Sequence, residues 1–241
     1  RRGGKPMLDS GEGLSSVAID LLRILKARYN YRKLSVITGF PVSTLTRYLT
    51  GKTVPKGAKT WKLLKNLVAN INISALIAQN IRNGDGYLDL TPIMLNSNMI
   101  KVLGAHVINE FAGTKVTSVL SLDMLSVPLA SYLATTTSRP LHVISPEPLS
   151  VNGENIPIVF PELGTPYAKS RWLLMNSPKK RESILTVSSQ TPDPSFFNAL
   201  IKVLKRKNAE IAGLFTVIAK EEILQRLNIP PGVKRSYVLA Y

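Results

Sequence analysis

Apolar positions open the chain at helical spacing. Val17, Leu21, Ile24 and Leu25 fall on one face, with Ser15 and Ser16 as candidate caps and an end expected near Tyr29–Asn30. A second helix is predicted from about Arg32 to Thr38, stopped by Gly39, a residue that tolerates the left-handed geometry of a helix end. Phe40-Pro41 leads into a third segment, Val42 to Lys52. In it Leu45 and Leu49 face inward, and Val42, Ser43, Thr46, Arg47 and Thr50 point out. Lys59 to Val68 gives another amphipathic helix anchored on Trp61, Leu64 and Val68, and Ser74–Arg82 reads as a fifth.

The pattern changes after the turn cluster Asn83-Gly84-Asp85-Gly86. A helix is predicted from about Asn98 to Phe111, a short apolar strand over Val116–Ser121 and a helix near Ser126–Ala134. Strands are predicted at Leu141–Ser145, Arg171–Met175, Ser183–Val187 and Ile211–Ile218, with a helix over Ser195–Lys207. Pro146 to Ser170 is proline-rich and lacks helical periodicity, so it reads as a strand-and-loop excursion or a flap. Apolar strands alternating with helices predict an α/β fold with a parallel sheet, behind an all-α amino-terminal unit. The expected boundaries are a flexible lead over 1–13, a helical domain over 14–83 and an α/β domain over 84–241.

Charge divides the chain in the same place. Between Asp20 and Asp85 there is no acidic residue but twelve basic ones. Residues 1–82 hold fifteen Lys/Arg against three Asp/Glu, most of the formal net charge of +16. A one-signed field on a structured face attracts polyanions, and duplex nucleic acid is the natural counterpart. Exposed aromatics interleaved for stacking single-stranded bases are not seen, which disfavours RNA. The chain has no cysteine and only His106 and His142, so disulfides and thiolate metal sites are excluded and a zinc centre is not expected. Both histidines read as satisfied core or edge residues. No secretory pattern and no membrane-length apolar run is seen, and the expectation is a cytoplasmic protein without cofactor or membrane partner.

The stretch Leu34-Ser35-Val36-Ile37-Thr38-Gly39-Phe40-Pro41-Val42-Ser43-Thr44-Leu45-Thr46-Arg47-Tyr48-Leu49, continuing through Gly51-Lys52-Thr53-Val54-Pro55, resembles the helix-turn-helix of bacterial and archaeal repressors. In such units the second helix enters the major groove. The resemblance makes Val42, Ser43, Thr44, Thr46 and Arg47 the base readers, with Arg47 suited to a guanine edge. Arg32, Lys33, Thr50, Lys52, Lys56 and Lys59 become the phosphate contacts. Lys179-Lys180-Arg181 and Lys205-Arg206-Lys207 read as solvated ends.

From about Gly86 to Pro231-Gly232-Val233-Lys234-Arg235-Ser236-Tyr237 the order of elements resembles type I phosphoribosyltransferases. Val116–Ala134 matches the strand, pyrophosphate-loop and helix unit. Ile184–Ile218 matches the unit that carries the phosphoribosyl-diphosphate loop. That loop normally begins with two acids that hold the ribose hydroxyls, followed by threonine and glycine around the 5-phosphate. Here the matching positions are Ser188 and Ser189, then Gln190-Thr191-Pro192-Asp193-Pro194-Ser195. Both prolines delete a donor N–H, and no glycine remains to close a backbone nest.

The expected pocket comprises Asp123, Met124, Leu125, Ser126, Ser188, Ser189, Gln190, Thr191, Asp193 and Ser195. Asp123 is read either as an exposed turn residue or as a sugar-hydroxyl acceptor. Taken together, the resemblances imply a homodimeric, sequence-specific DNA-binding transcription regulator, with no catalytic residue assigned. Its degenerate transferase-like domain would serve dimerisation, with the Ser188–Ser195 stretch read either as a capped loop, an empty relic of a substrate site, or as a sensor of a nucleotide or phosphoribosyl diphosphate effector. The alternative is an active nucleobase phosphoribosyltransferase with an autoregulatory DNA-binding domain.

Overall fold

The computed structural model describes residues 11–84, 87–149, 154–162, 164–175 and 181–241. Five helices come first: α1 (Gly11–Lys26), α2 (Tyr31–Thr38), α3 (Val42–Leu49), α4 (Ala58–Ala69) and α5 (Ile73–Asn80). A small hairpin of β1 (Arg82–Gly84) and β2 (Tyr87–Asp89) follows, then α6 (Thr91–Met94) and α7 (Ser97–Glu110). The remainder alternates strands and helices: β3 (Ser118–Ser121), α8 (Val127–Thr136), β4 (Leu141–Ser145), β5 (Asn155–Pro161) and β6 (Ala168–Leu174). It closes with β7 (Glu182–Gln190), α9 (Pro194–Arg206), β8 (Ala209–Ala219), α10 (Glu221–Arg226) and β9 (Lys234–Ala240).

The main sheet has seven strands in the order β5-β6-β4-β3-β7-β8-β9. From β4 to β9 every neighbouring pair is parallel, whereas β6 runs antiparallel to both β4 and β5. The sheet is therefore mostly parallel, which corrects the wholly parallel expectation. The excursion between β4 and β7 is a β-hairpin appended to the sheet edge. Ile158 and Phe160 point into the core while Pro157, Val159 and Pro161 are exposed, the period-two alternation of a one-sided strand. Both prolines sit on the outermost strand, where no ladder N–H is needed on the open side.

Two buried clusters flank the sheet. One lies between the sheet and α9 and includes Phe160, Phe196, Phe197, Leu200 and Leu214. The other is continuous from Val17, Leu21 and Leu64 through Ile100 and Leu103 to Phe111, Leu133 and Val217. The amino-terminal helices thus share one core with α7 and α8, across residue 83. Gly13 lies against the end of α8 so closely that a Cβ there would meet the Thr136 carbonyl oxygen at 1.7 Å. Gly39 joins α2 to α3 at φ 69, a backbone that side chains other than glycine disfavour.

Several local expectations change. Helix α1 begins at Gly11, so residues 11–13 of the expected flexible lead are helical, and residues 1–10 lie outside the described residues. Ser15 is not a cap: it is buried inside α1 and donates to the Pro55 carbonyl at 2.7 Å. Asn30 caps the next helix, α2, its side-chain oxygen accepting from Lys33 N. On α4 the central anchors are Leu63, Leu64 and Leu67, with Trp61 and Val68 only half-buried. Ser74–Arg82 is shorter than expected, because Arg82 leaves the helix to start β1. Among the described residues no helix is long and apolar enough to cross a membrane.

Candidate active site

Parallel strands of an α/β sheet end in loops at one edge, and ligands collect there. Here the loops after β3 and β7 meet. Ser121 ends β3, and its hydroxyl donates to the Asp123 carbonyl at 2.7 Å, turning the chain into a 3-10 turn at Met124–Ser126. The Asp123 carboxylate accepts from Ser126 N through Oδ1 and from Ser189 N through Oδ2, both at 2.8 Å. One side chain therefore fastens the β3 loop to the end of β7. Charge-assisted bonds to backbone N–H groups are among the stronger hydrogen bonds in proteins, so this junction is stiff.

Strand β7 continues through Gln190, so the stretch expected as a loop from Ser188 to Ser195 is strand, a three-residue turn and then helix α9. Ser188 is buried within the strand and its Oγ lies 3.0 Å from Thr216 Oγ1. Thr191 Oγ1 accepts from Lys220 N at 2.8 Å. Asp193 caps α9, its Oδ1 accepting from Phe196 N at 2.9 Å. Across the turn, the Arg171 guanidinium stacks over the Phe196 ring at 5.0 Å. These groups enclose a cavity of about 170 Å³ lined by Asp123, Arg171, Ser189, Gln190, Asp193 and Phe196 among others.

Of the residues expected in the pocket, Asp123, Ser188, Ser189, Gln190, Thr191 and Asp193 come together. Met124, Leu125, Ser126 and Ser195 do not line the cavity. Met124 is exposed, and Ser126 is fully buried with its hydroxyl bonded to the carbonyls of Asp123 and Val187. Ser195 faces a different cavity beside Pro157 and Arg206. Sequence reasoning missed Arg171 and Phe196. The signal for Arg171 was a cation inside a stretch read as strand, and Phe196 passed as an ordinary core residue.

The amino-terminal candidates occupy α2, α3 and the segment before α4. Val42, Ser43 and Arg47 are exposed, and Thr44 and Thr46 are half-buried. Thr46 Oγ1 donates to the Val42 carbonyl and Thr50 Oγ1 to the Thr46 carbonyl. Arg32, Lys33, Lys52, Lys56 and Lys59 are exposed, as is Thr50.

The two histidines differ. His142 is 2% exposed, with Nε2 2.8 Å from Glu182 Oε2, which also accepts from the Ser118 hydroxyl. His142 Nδ1 has no protein partner. His106 packs edge-on to Phe215, and desolvation by burial holds its pKa below the ordinary 6.5. Burial likewise raises the Tyr132 phenol, whereas hydrogen bonds from Thr91 lower the Asp89 carboxyl. No group of three or more His, Asp or Glu among the described residues could hold a metal ion. Arg181 and Lys207 are ion-paired, with Glu210 and Glu154 respectively. Residues 179 and 180 lie outside the described residues.

No protein-family model matches the chain. A curated relative, hypoxanthine/guanine phosphoribosyltransferase of Methanosarcina barkeri, is 23% identical over 159 residues, covering 64% of this chain and 81% of the relative. The protein of the same name from Methanosarcina mazei is 26% identical over 129 residues, 52% of this chain and 66% of that one. Among solved structures, adenine phosphoribosyltransferase from Rhodothermus marinus superposes with a TM-score of 0.59 at 15% identity, covering 71% of this chain and 100% of that chain. The Thermoanaerobacter pseudethanolicus enzyme gives 0.57 at 11% identity, over 70% and 99%.

These findings overturn two expectations, a DNA-binding transcription regulator and a non-enzyme: relatives and structural neighbours alike carry phosphoribosyltransferase names, which favours the alternative reading. The expectation of an inactive domain rested on Ser188 and Ser189 in place of two acids, on Pro192 and Pro194 deleting donor N–H groups, and on the absence of glycine from the loop. Folding brings Asp123 and Asp193 to the same cavity from either side of positions 188 and 189. The chain has a type I phosphoribosyltransferase-like fold and low-identity relatives named hypoxanthine/guanine phosphoribosyltransferase.

Proposed function

We propose that the protein is a nucleobase phosphoribosyltransferase acting on a purine, with its site where the β3 and β7 loops meet. The observation that carries this reading is the cavity that Asp123, Asp193 and Arg171 share at the carboxyl edge of the sheet. In the proposed reaction a ring nitrogen of the base attacks C1′ of phosphoribosyl diphosphate. The bond from C1′ to the diphosphate oxygen breaks, the electron pair leaves with the diphosphate, and the base gives up a proton. Such a transfer needs anion neutralisation and positioning more than covalent help from the protein.

Arg171 is the cation of the cavity and sits on a rigid strand, so it neutralises phosphate or leaving diphosphate. Asp193 commits Oδ1 to capping α9, and Oδ2 remains to take a ribose hydroxyl. Asp123 is a positioning residue in this reading, because both oxygens hold backbone. The cavity is smaller than the roughly 300–1,000 Å³ of ordinary ligand pockets. It accommodates the sugar-phosphate end and leaves the base at the mouth.

The test is turnover of phosphoribosyl diphosphate with hypoxanthine, guanine and adenine, followed as diphosphate release. Turnover with at least one base is expected, and Arg171→Ala should lower kcat/KM by roughly 10- to 100-fold, the value of a hydrogen bond to a charged group. Absence of turnover with all three bases sinks the reading. The exposed cations Arg32, Lys33, Lys52, Lys56 and Lys59 fit a duplex polyanion as an additional partner of such an enzyme. A salt-dependent anisotropy titration with duplex DNA tests this, and affinity insensitive to salt would refute it.

A further inference from the structure

A second, larger cavity lies outside the candidate transfer site. It measures about 740 Å³ and is bounded by the carboxyl half of α1, the α4–α5 connection and the first turns of α7. That volume is within the roughly 300–1,000 Å³ range of sites that hold small molecules.

Its charge is one-sided. Arg23, Arg28 and Lys101 line it against the single acid Asp20. Asp20 is already neutralised, since Lys101 Nζ lies 3.2 Å from Oδ2 and Arg23 Nη1 3.5 Å from Oδ1. Arg28 has no side-chain partner among the described residues. A cleft with an unengaged guanidinium and surplus positive charge favours an anion, and guanidinium matches phosphate oxygens in pairs.

The remaining wall is not that of a bare phosphate site. Tyr29, half-buried, lines it beside Arg28, and the buried Met99 and Val102 add apolar surface. Asn70 donates its amide nitrogen to the Asn66 carbonyl, which leaves its oxygen as an acceptor. Asn72 commits its amide oxygen to Ala75 N and keeps its donor nitrogen. One acceptor and one donor beside an aromatic ring and a cation suit a heterocyclic base joined to a phosphate.

We propose that this cleft binds a nucleoside monophosphate, with the phosphate on Arg28 and the base on Tyr29, as a site separate from the transfer cavity. Such a ligand bridges α1 to α7. The proposal stands independently of the transferase reading, because none of its residues lines the other cavity.

The experiment is calorimetric titration of the full chain carrying Arg171→Ala, which weakens anion binding in the transfer cavity, with adenosine, guanosine and inosine monophosphates. Binding of at least one is expected. Adding Arg28→Glu should weaken it roughly tenfold or more, and adding Tyr29→Ala by a similar factor. Arg28 is exposed, and circular dichroism checks that the Arg28→Glu protein is folded. Three results overturn the proposal: no nucleotide binding in the Arg171→Ala background, binding indifferent to Arg28→Glu, or inorganic phosphate binding as tightly as the nucleotides. Loss of a dimer on Arg28→Glu without nucleotide binding also overturns it and makes the cleft a contact between copies. Phosphoribosyl turnover by the wild-type chain is scored separately, so failure of that reading leaves this one standing.

Discussion

The cations of the amino-terminal helices and those of the α/β region live in different surroundings. Around the sheet they have acids for neighbours: Lys169 with Glu162, Arg181 with Glu210, Lys207 with Glu154 and Lys234 with Glu110. In the helical region the one acid described in an ion pair is Asp20, shared by Arg23 and by Lys101 of α7, and the cations from Arg32 to Lys65 are exposed without an acid in that stretch of sequence. Yet the two regions share one continuous buried cluster. Packing makes them a unit and charge sets them apart, and the cations of the helical region find aromatic rings more than acids, Lys26 over Tyr31 and Lys62 over Phe40.

Replacing Gly13 tests the shared packing most severely. Gly13→Val puts a side chain into the Thr136 carbonyl and should cost about 3 kcal/mol, the upper end of ordinary overpacking. A single thermal transition lowered by roughly 6–12 °C is expected, and two separated transitions would mean that the regions melt independently. Glu182→Ala comes next. It strips the buried His142 and Ser118 of a common acceptor and should cost about 3 kcal/mol in a denaturant melt. A loss under about 0.5 kcal/mol would make that buried pair no different from a surface one.

Smaller effects sharpen the contrast. Lys207→Ala removes an exposed ion pair and should destabilise by under about 1 kcal/mol. Lys56→Ala, with no acid partner, should change stability by no more than about 0.5 kcal/mol in either direction. Equal losses above about 1 kcal/mol at both sites would erase the distinction.

The smallest effect is at His106. Its folded pKa lies below 6.5, so the fold disfavours its proton. That contribution is complete above pH 6.5 and is lost as the pH falls through the depressed folded value. His106→Gln should flatten the acid limb of a stability–pH curve, and an unchanged limb would refute the assignment.

Much of the architecture was legible because it rests on long apolar periodicities. Helix α7 and strands β4, β7 and β8 lie within a few residues of their expected bounds. The carboxyl part of β6 lies within the strand expected at Arg171–Met175, but β5 and its antiparallel pairing were not placed within the expected excursion, because proline punctuation masked the alternation of Ile156, Ile158 and Phe160 and pairing of an edge hairpin is decided by the sheet it joins. Helix α10 is short and mostly polar, and strand β9 opens on Lys234, Arg235 and Ser236 and is placed by its parallel pairing with β8. At the site, Asp123 was identified but its duty was not, because Ser189 lies 66 residues away and only tertiary folding brings its amide within reach. Arg171 escaped for the same reason, since its stacking partner Phe196 belongs to another element.

Helix α8 has a consequence that its contacts make mechanical. Its carboxyl end abuts Gly13, and its amino end follows directly on Ser126, whose amide holds Asp123. Ten helical residues make a strut of about 15 Å between them. A push or twist delivered to the first helix therefore has a continuous helical route to the Asp123 junction, which forms one wall of the cavity between the β3 and β7 loops.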